Sequence, residues 1–544
     1  MRDRLPRAYP VLLGRFPRLT EIQRIGIDPI LLGRDVLLAA PTATGKTEAY
    51  AAPLAEAVLA GDRGGFRVLV VSPTRALAND LARRLAGRME ALGIAFGRHT
   101  GEHKKRFRGK RPEFAVTTPE ALDSLLSRRP EELEGVSAVV LDEIHVLDGT
   151  VRGDQLRILL HRLERASVRR PQRIAASATV ADPEGLAARY LSDAETAVHR
   201  GRRPIRARAF RGRDAASLAT HLDLLARSGF RKVLAFCERR EDVERHASEV
   251  HGRTAFGENV FAHHGSLGRR VRERAEKSFL ERTAAVAFAT LTLELGIDIG
   301  SVDYVLLLRP PPGVASLLQR IGRGSRRTEE SRVGYVFETE AERETHRALL
   351  SLAAEGELAE APYAFRPSVL VQQALSLAGR DGWVTADGLA AALPPEVAKT
   401  PAGREPEALL YAAADAGWLE APRGGRFVLS GRSERMYDRG LLHSSFEAPP
   451  ERDVVDRLTG EVIGRAELED LDRKISLGGR GRRIVIEDRD RILVDPWKGS
   501  RPPKFVTHGR PSLPGRTARA IAGRFGAGPL EVVQAPAKGA FTLL

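Results

Sequence analysis

Short apolar runs alternate with amphipathic stretches along much of the chain, and this rhythm predicts strands separated by helices. Five runs come first, at residues 35–40, 66–73, 113–119, 136–143 and 172–179. Their continuous apolar character is typical of strands buried on both faces of a parallel sheet. Residues 75–93, between two of these runs, carry apolar positions at helical spacing. The pattern predicts a doubly wound α/β domain.

The same rhythm repeats further along the chain. The second series of runs lies at residues 230–238, 259–265, 284–290, 302–310 and 333–339. A stretch that contains Arg and Pro, residues 199–210, separates the two series. We therefore predict two α/β domains in tandem, over residues 1–200 and 201–355.

The pattern changes after residue 355. Three helical stretches are followed by two short strands around an Arg-Gly-Gly-Arg turn, residues 423–426, which indicates a hairpin. Helices followed by a hairpin predict a winged-helix domain over residues 356–445. Short strands separated by Gly and Pro then predict a small β-rich domain over residues 446–544.

Charge and cysteine content suggest a partner and a compartment. The 544 residues carry a formal net charge of +15 and one cysteine, Cys237. A large basic excess favours a polyanionic partner such as nucleic acid, although an arginine-rich genome composition would also raise the charge. A single cysteine fits a reducing cytoplasm, and no apolar run reaches the roughly 18 residues that span a bilayer. We expect a cytoplasmic protein without a membrane partner.

The segment APTATGKT, residues 40–47, resembles a phosphate-binding loop but has Ala40 in place of the first glycine. A predicted strand precedes it and a predicted helix follows, so backbone N–H groups at the helix start would face phosphates. Lys46 would reach the β- and γ-phosphates of ATP, and the Thr47 hydroxyl would bind Mg²⁺. We expect a negative φ at Ala43, because a positive φ costs a residue with a Cβ atom about 1 kcal/mol. The candidate nucleotide contacts in this loop are Thr42, Thr44, Gly45, Lys46 and Thr47.

Two acids, Asp142 and Glu143, end the apolar run at 136–143. Open α/β sheets bind ligands at the carboxyl ends of their strands. Asp142 would hold Mg²⁺, and Glu143 would orient or deprotonate the attacking water. A pair of solvated loop acids is the alternative, and the phosphate loop argues against it. Ser177 and Thr179 end another run, where they are either turn residues or a hydroxyl link to the neighbouring domain.

The segment LLQRIGRGSRR, residues 317–327, is dense in arginine and contains two glycines that lower helix propensity. Gln319, Arg320, Arg323 and Arg326 fall close to three-residue spacing, so several share one helix face. A surface helix would normally intersperse acids with this many arginines. An arginine finger that reaches a γ-phosphate across a domain cleft explains the pattern better than a solvated basic face.

Together and in this order, the motifs resemble those of the superfamily 2 helicases, and within them the Lhr-type (large helicase-related) DExH group. The segments of the first α/β domain that carry the resemblance are LTEIQ (19–23), APTATGKT (40–47), SPTRALAND (72–80), TTPE (117–120), DEIH (142–145) and SAT (177–179). Those of the second are AHHGSL (262–267), TLTLELGIDIG (290–300) and QRIGRGSRR (319–327).

The resemblance implies two RecA-like domains that close on ATP. Gln23 would read the adenine base, with Phe16 as a stacking partner. Gly296 and Asp298 would belong to a coupling loop that joins Mg²⁺, the ribose and the bound strand. The residues implied in coupling the two domains are His145, Ser177 and Thr179.

The resemblance also implies single-stranded nucleic acid bound across both domains. Its motifs assign phosphate contacts to Thr74, Arg75, Thr118, His264 and Thr290. Amides, hydroxyls and a few cations bind phosphates without reading sequence. Trp497 is a candidate for base stacking, because an aromatic platform accepts any base. Each of these residues has an ordinary alternative role in a turn or a core.

The function that follows is an ATP-dependent 3′-to-5′ translocase on single-stranded DNA that unwinds DNA or RNA:DNA duplexes in DNA repair. Its catalytic residues would be Lys46, Glu143, Gln319, Arg323 and Arg326. An RNA helicase is one alternative, and a nucleic-acid-gated ATPase that remodels without unwinding is another. We expect ATP and Mg²⁺ as cofactors, a duplex with a 3′ tail as partner, a monomeric state and a location at the nucleoid.

Overall fold

The computed structural model forms two compact units. The described residues are 1–41, 44–61, 67–100, 112–199, 201, 204–290, 302–324, 330–358, 363–443, 451–467, 474–487, 491–497, 532–534 and 541–543. One unit comprises Met1–Arg200 with Pro362–Glu447, and the other comprises Gly201–Ala361 with Ala448–Leu544. Each unit therefore joins one α/β domain to one C-terminal segment. The four predicted domain ranges stay predictions. Within the ranges given above, no helix has the length and apolar character needed to cross a membrane.

The first α/β domain is built on a parallel sheet of seven strands in the order β3-β4-β2-β5-β6-β1-β7. The strands are β1 (Val36–Ala39), β2 (Arg67–Val71), β3 (Phe96–His99), β4 (Phe114–Thr117), β5 (Val136–Leu141), β6 (Gln172–Ser177) and β7 (Glu195–Val198). The helices are α1 (Glu21–Leu31), α2 (Lys46–Ala60), α3 (Arg75–Ala91), α4 (Pro119–Arg128), α5 (Val151–Ala166) and α6 (Pro183–Tyr190). The five predicted strands are present, and both faces of the sheet pack against buried apolar clusters.

Strands β3 and β7 were not predicted, and their position explains why. They are the two edges of the sheet and are only partly buried along most of their length. An edge strand needs no continuous apolar run, because one side of it faces away from the core. The hydrophobic pattern therefore does not mark it.

The second α/β domain repeats the plan with six parallel strands in the order β10-β11-β9-β12-β13-β8. The strands are β8 (Ile205–Arg211), β9 (Lys232–Phe236), β10 (Val260–His263), β11 (Ala285–Ala289), β12 (Tyr304–Leu307) and β13 (Ser331–Phe337). The helices are α7 (Ala215–Arg227), α8 (Arg240–Val250), α9 (Arg269–Glu281), α10 (Val314–Ile321) and α11 (Glu340–Glu355). The stretch predicted to separate the domains, residues 199–210, includes all but the last residue of β8, a largely exposed edge strand.

Residues 363–443, called here the helix–hairpin segment, follow the predicted order of helices and hairpin. Its elements are α12 (Ser368–Asp381), α13 (Ala386–Ala392), α14 (Pro395–Ala398), α15 (Pro406–Asp415), β14 (Leu419–Arg423), β15 (Arg426–Leu429) and α16 (Gly431–Asp438). Its apolar core includes Ile158 of α5, so the segment packs directly on the first α/β domain. Its assignment as a winged helix stays a prediction.

A buried polar cluster joins the helix–hairpin segment to α4 and α5. Asp123 has no exposed surface, and its Oδ1 accepts from Arg162 Nη1 at 3.0 Å and from Ser376 Oγ at 2.8 Å. Its Oδ2 accepts from Gln372 Nε2 at 2.7 Å. Burial by itself raises the pKa of Asp123, but the His443 imidazole and the Arg162 charge outweigh it and lower the pKa to about 2. The carboxylate is therefore charged and fully engaged.

The second unit ends in a mixed sheet of five strands in the order β17-β16-β20-β19-β18. The strands are β16 (Glu451–Asp456), β17 (Val462–Glu467), β18 (Lys474–Leu477), β19 (Arg480–Glu487) and β20 (Arg491–Pro496). A separate ladder pairs β21 (Val532–Gln534) with β22 (Phe541–Leu543). The core of the mixed sheet includes Leu267, which follows β10 in the second α/β domain. The β-rich character predicted for this region is present.

Candidate nucleotide and nucleic-acid site

The phosphate-binding loop lies between β1 and α2, at the carboxyl edge of the first sheet. Lys46 is buried at the start of α2, and its Nζ donates to the carbonyl of Ala40 at 2.9 Å and to that of Pro41 at 3.2 Å. The ammonium group is thus held over the loop by the loop's own carbonyls. Thr42 and Ala43 lie outside the described residues, and with them the expected negative φ at Ala43.

Gly45 shows why this loop needs a glycine. Its φ is +89°, a conformation that residues with a Cβ atom avoid, and a Cβ there would lie 2.3 Å from Gln23 Nε2. Gln23 is fully buried, donates from Nε2 to the Gly45 carbonyl at 3.3 Å and accepts from the Thr20 amide at 3.0 Å. Thr44 Oγ1 donates to the carbonyl of Pro41 at 2.8 Å. Gln23 therefore braces the loop in this structure, and adenine reading by it stays a prediction.

Phe16, the predicted stacking partner for adenine, precedes α1. It is half-buried at the edge of the apolar cluster on that face of the sheet, and the Arg15 guanidinium lies 4.8 Å from its ring centre. Stacking of Phe16 on a base stays a prediction.

Asp142 and Glu143 follow β5 at the same edge of the sheet as the loop. The Asp142 amide donates to the carbonyl of Val71, and the Asp142 side chain is buried. Burial and the adjacent Glu143 carboxylate raise the pKa of Asp142 to about 7, against the opposing charges of Arg84 and Lys46. Two acids in such surroundings are typical of a site that takes a cation.

Glu143 has φ +48° and ψ +45°, in the left-handed region. Only one other non-glycine residue of the described chain, Asp193, has a positive φ. Such a conformation costs a residue with a Cβ atom about 1–2 kcal/mol, and strain of this kind concentrates at functional sites. The left-handed backbone therefore sets the direction of the Glu143 side chain, and it lowers the free energy of unfolding.

Tyr50 belongs to this site although the sequence pattern did not single it out. It lies one turn after Thr47 on α2, is fully buried, and its hydroxyl lies 3.4 Å from Asp142 Oδ1. Burial and the Asp142 charge raise the pKa of Tyr50 well above its ordinary value, so the phenol keeps its proton and can donate. A signal existed, since an aromatic residue with a polar tip stands inside an apolar helix next to the loop.

His145 connects the acids to the strand end at 177–179. Its Nδ1 accepts a hydrogen bond from the Ala178 amide at 3.1 Å. The same nitrogen lies 3.6 Å from Glu143, but a nitrogen that accepts carries no proton, so this contact is not an ion pair. Ser177 is buried at the end of β6, and its carbonyl accepts from the Ala40 amide at 3.2 Å. The structure therefore brings 142–145, 177–178 and the phosphate loop together, whereas the coupling role of Thr179 stays a prediction.

The arginine-rich segment falls at the end of α10 in the other unit. Arg323 is 3% exposed, Gln319 is half-buried, and Arg320 lies 5.4 Å from the ring centre of Phe236. Their reach toward a γ-phosphate stays a prediction. Three predicted site residues, Gly296, Asp298 and Arg326, lie outside the described residues.

The predicted strand contacts of the first domain also cap helices. Thr74 Oγ1 accepts from the Leu77 amide at 3.2 Å, and Thr118 Oγ1 accepts from the Ala121 amide at 3.4 Å. Caps of this kind satisfy the first N–H groups of α3 and α4. Arg75, the first residue of α3, is exposed. The hydroxyls have a structural role already, and their contact with a strand stays a prediction.

The predicted strand contacts of the second unit differ in accessibility. His264 has no exposed surface, and its Nε2 lies 2.8 Å from Glu244 Oε1. Thr290 is 9% exposed, and Trp497 is 37% exposed with Arg483 5.2 Å from its ring centre. The imidazole of His264 is therefore engaged inside the protein, so any strand would meet the backbone of its loop rather than the ring.

Two tandem parallel sheets, with a phosphate loop beside an Asp-Glu pair, define the class of P-loop motor proteins. A model described as DEAD/DEAH box helicase matches residues 20–186, and one described as helicase conserved C-terminal domain matches residues 216–328. The chain is 31% identical over 366 residues to the ATP-dependent helicase Lhr-Core protein 2 of Thermococcus barophilus, covering 60% of this chain and 42% of that protein. The chain therefore carries the two conserved domains of a DEAD/DEAH box helicase, and its sequence is similar to the Lhr-type helicases.

Two further relatives extend the likeness beyond the α/β domains. The Lhr helicase/uracil glycosylase of Escherichia coli is 27% identical, covering 85% of this chain and 37% of that protein. The structure of Mycobacterium smegmatis helicase Lhr bound to ssDNA and AMP-PNP has a TM-score of 0.69 at 25% identity, covering 81% of this chain and 62% of that one. The chain spans 42% of the length of the Thermococcus barophilus protein and 37% of the length of the Escherichia coli protein.

Proposed function

We propose that the chain is an ATP-driven 3′-to-5′ translocase on single-stranded DNA that displaces a paired DNA or RNA strand. The observation that carries the ATPase part is the convergence of Lys46, Asp142 and Glu143 at one edge of one sheet. Lys46 is poised over the loop carbonyls after β1, and the two acids follow β5, from which β1 is separated by β6 alone. This arrangement suits phosphoryl transfer, where positioning and charge stabilisation supply most of the rate.

Mg²⁺ fits the residues of this site. The raised pKa of Asp142 reflects its burial and the second carboxylate beside it, and a divalent cation would offset the charge of the two acids. Asp142 and the Thr47 hydroxyl would hold the ion, which would neutralise charge on the β- and γ-phosphates. Lys46 would leave its loop carbonyls to bind phosphate oxygens.

Glu143 would accept a proton from the attacking water, and Arg323, together with Arg326, would stabilise the charge that develops on the γ-phosphate. Gln319 would help to position these arginines. Since His145 contacts the 177–178 backbone, a change at the acids would be passed to that strand end, which would couple it to the partner domain.

The substrate and setting rest on two supports. The net charge of +15 favours a polyanion, and the Mycobacterium relative carries ssDNA and AMP-PNP in its structure. We propose a monomer that loads on a 3′ tail and works in DNA repair, in the cytoplasm at the nucleoid. Thr74, Arg75 and Thr118 would contact strand phosphates through backbone and hydroxyl groups, and Trp497 would stack on a base.

A steady-state ATPase assay with and without single-stranded DNA and RNA tests the proposal. We expect DNA to stimulate turnover at least about tenfold, and a duplex with a 3′ tail to be unwound while its 5′-tailed counterpart is not. Stronger stimulation and unwinding with RNA would favour an RNA helicase. Strand-stimulated hydrolysis without displacement of either duplex would favour a gated ATPase that only remodels.

A further inference from the structure

Glu244 is a buried carboxylate far from the nucleotide loop in sequence. It lies on α8 and has no exposed surface. Its Oε1 accepts from His264 Nε2 at 2.8 Å and from the Gly478 amide at 2.7 Å, and its Oε2 accepts from the Gly479 amide at 2.6 Å. A buried carboxylate is costly unless its oxygens are bonded, and here three donors satisfy it. One side chain thus ties the loop after β10 to the β18–β19 turn.

The loop after β10 is itself part of the C-terminal sheet. The Gly268 amide donates to the carbonyl of Ile463 at 2.8 Å, and the Arg465 amide donates to the carbonyl of Ser266 at 2.8 Å. Strand β17 is an edge of that sheet, and these two bonds join residues 266–268 to that edge through one antiparallel bridge. The loop and the sheet are therefore bonded backbone to backbone.

The two backbones at this bridge approach too closely for a side chain on either glycine. Leu267 forms an antiparallel bridge with Gly464. A Cβ on Gly464 would lie 2.8 Å from the Ser266 carbonyl, and one on Gly268 would lie 2.1 Å from the carbonyl of Val462. Glycine is needed on both partners, because the two backbones approach directly. Both segments therefore carry the glycine that this backbone contact requires.

The tip of the same loop faces outward. Gly265 is exposed, whereas His264 before it and Ser266 after it are buried. Arg270, in the first turn of the helix that follows, is also exposed. The exposed backbone of the loop and the Arg270 cation are thus accessible to a nucleic-acid strand, whereas Glu244 bonds the buried side of the same loop.

We propose that Glu244 is a positioning residue that lets the C-terminal β-rich domain hold the 262–268 loop in the shape that binds the nucleic-acid strand. This inference rests on the proposed function, because the loop is expected to meet a strand only in a helicase. The domain then tunes strand affinity through the loop and leaves the chemistry of ATP unchanged.

The test compares Glu244→Gln with Glu249→Gln, a control on the same helix whose carboxylate is 37% exposed. Glutamine keeps the shape of Glu244, but its NH₂ group would face a backbone N–H donor. We expect the concentration of single-stranded DNA that half-activates the ATPase to rise about five- to tenfold. Turnover at saturating DNA, the KM for ATP and the ATPase without DNA should match those of the control.

Gly479→Ala makes the same test from the other side of the contact. Gly479 has φ +72°, and a Cβ there would lie 3.5 Å from the Cβ of Ala247 on α8 and 3.6 Å from that of Ala262 on β10, so alanine should strain the turn while the Glu244 carboxylate stays in place. Both variants should raise hydrogen exchange in residues 262–268 and 474–487 of the full chain. Unchanged half-activation and exchange in both variants would overturn the proposal, as would a parallel loss of ATPase without DNA.

A wild-type ATPase that ignores nucleic acid would overturn the proposed function, and the strand-affinity part of this inference with it. The exchange comparison would still decide whether Glu244 holds the loop to the β-rich domain, so the two failures are distinguishable.

Discussion

Replacing Asp123 with asparagine should loosen the helix–hairpin segment from α4 and α5. The carboxylate has no exposed surface and accepts from Arg162 and from two side chains of α12. Asparagine keeps the shape of the side chain but removes its charge. It also replaces one acceptor oxygen with an NH₂ group, which would point at groups that themselves donate hydrogen bonds. The Arg162 side chain, only 3% exposed, would then lose its counter-charge inside the protein.

Two routes give the magnitude. Breaking a buried ion pair by removing one partner costs about 3–5 kcal/mol. The pKa of Asp123 is lowered from 3.8 to about 2, and at about 1.4 kcal/mol per pH unit this difference gives about 2 kcal/mol of stabilisation at neutral pH. Because the pKa is lower in the folded state, this stabilisation is complete above the unfolded pKa and is lost as the pH falls towards 2. We expect Asp123→Asn to lower the free energy of opening by about 2–4 kcal/mol at pH 7.

Hydrogen exchange of the full chain measures that free energy for α12 peptides, without assuming that two units unfold in one step. Asp381→Asn on α12 is the matched control, because its carboxylate is 43% exposed and pairs with the neighbouring Arg380. The control should change protection by less than about 0.5 kcal/mol. Equal protection of α12 in the two variants would refute the reasoning that the buried carboxylate holds the segment.

Three further predictions concern the nucleotide site. Glu143→Gln should bind a fluorescent ATP analogue normally but lower steady-state turnover about 10²–10⁴-fold, and wild-type hydrolysis would exclude Glu143 as the base. Tyr50→Phe removes the hydroxyl that lies 3.4 Å from Asp142. In a thermal-shift titration of the ADP complex with Mg²⁺, we expect the Mg²⁺ concentration that gives half of the full stabilisation to rise about tenfold. An unchanged midpoint would contradict a role of Tyr50 in holding Asp142. Gly45→Ala should abolish ATP binding in the same fluorescence titration, since φ is +89° and a Cβ would lie 2.3 Å from a side-chain nitrogen of α1. Gly93→Ala, with φ +69° and open space around it, is its control and should bind normally.

Features with a strong local pattern could be predicted from the sequence. The buried strands β1, β2, β4, β5 and β6 lie where continuous apolar runs occur, because a strand covered on both faces buries successive side chains. The phosphate loop and the acids at 142–143 follow such strands directly. Their shared edge then follows from the parallel sheet alone.

Contacts between distant segments could not be predicted. Asp123 meets Gln372, which is 249 residues away, and Glu244 meets Gly479, which is 235 residues away. A single contact between two distant residues produces no repeating pattern of apolar and polar positions in either segment, so the sequence does not mark it. A weak signal exists in α12, where two adjacent glutamines stand inside an otherwise apolar stretch.

The apparent loop residue His264 shows a second limit. Its motif marks a strand contact by resemblance, yet its ring is buried against Glu244. A motif gives the place of a residue along the chain, but the direction of a side chain depends on the partner that the fold supplies. Here that partner, Glu244, lies on α8, 20 residues before His264.

The interleaved division of the chain has a consequence for its synthesis. The first unit takes residues up to 200 and then residues 362–447, so a ribosome must make a whole second α/β domain before the first unit can be completed. Until then, the α4–α5 face would keep Asp123 and Arg162 without the α12 groups that bond them. A chain cut after residue 355 would retain that uncovered face permanently, so the two α/β domains by themselves would not make a stable minimal motor.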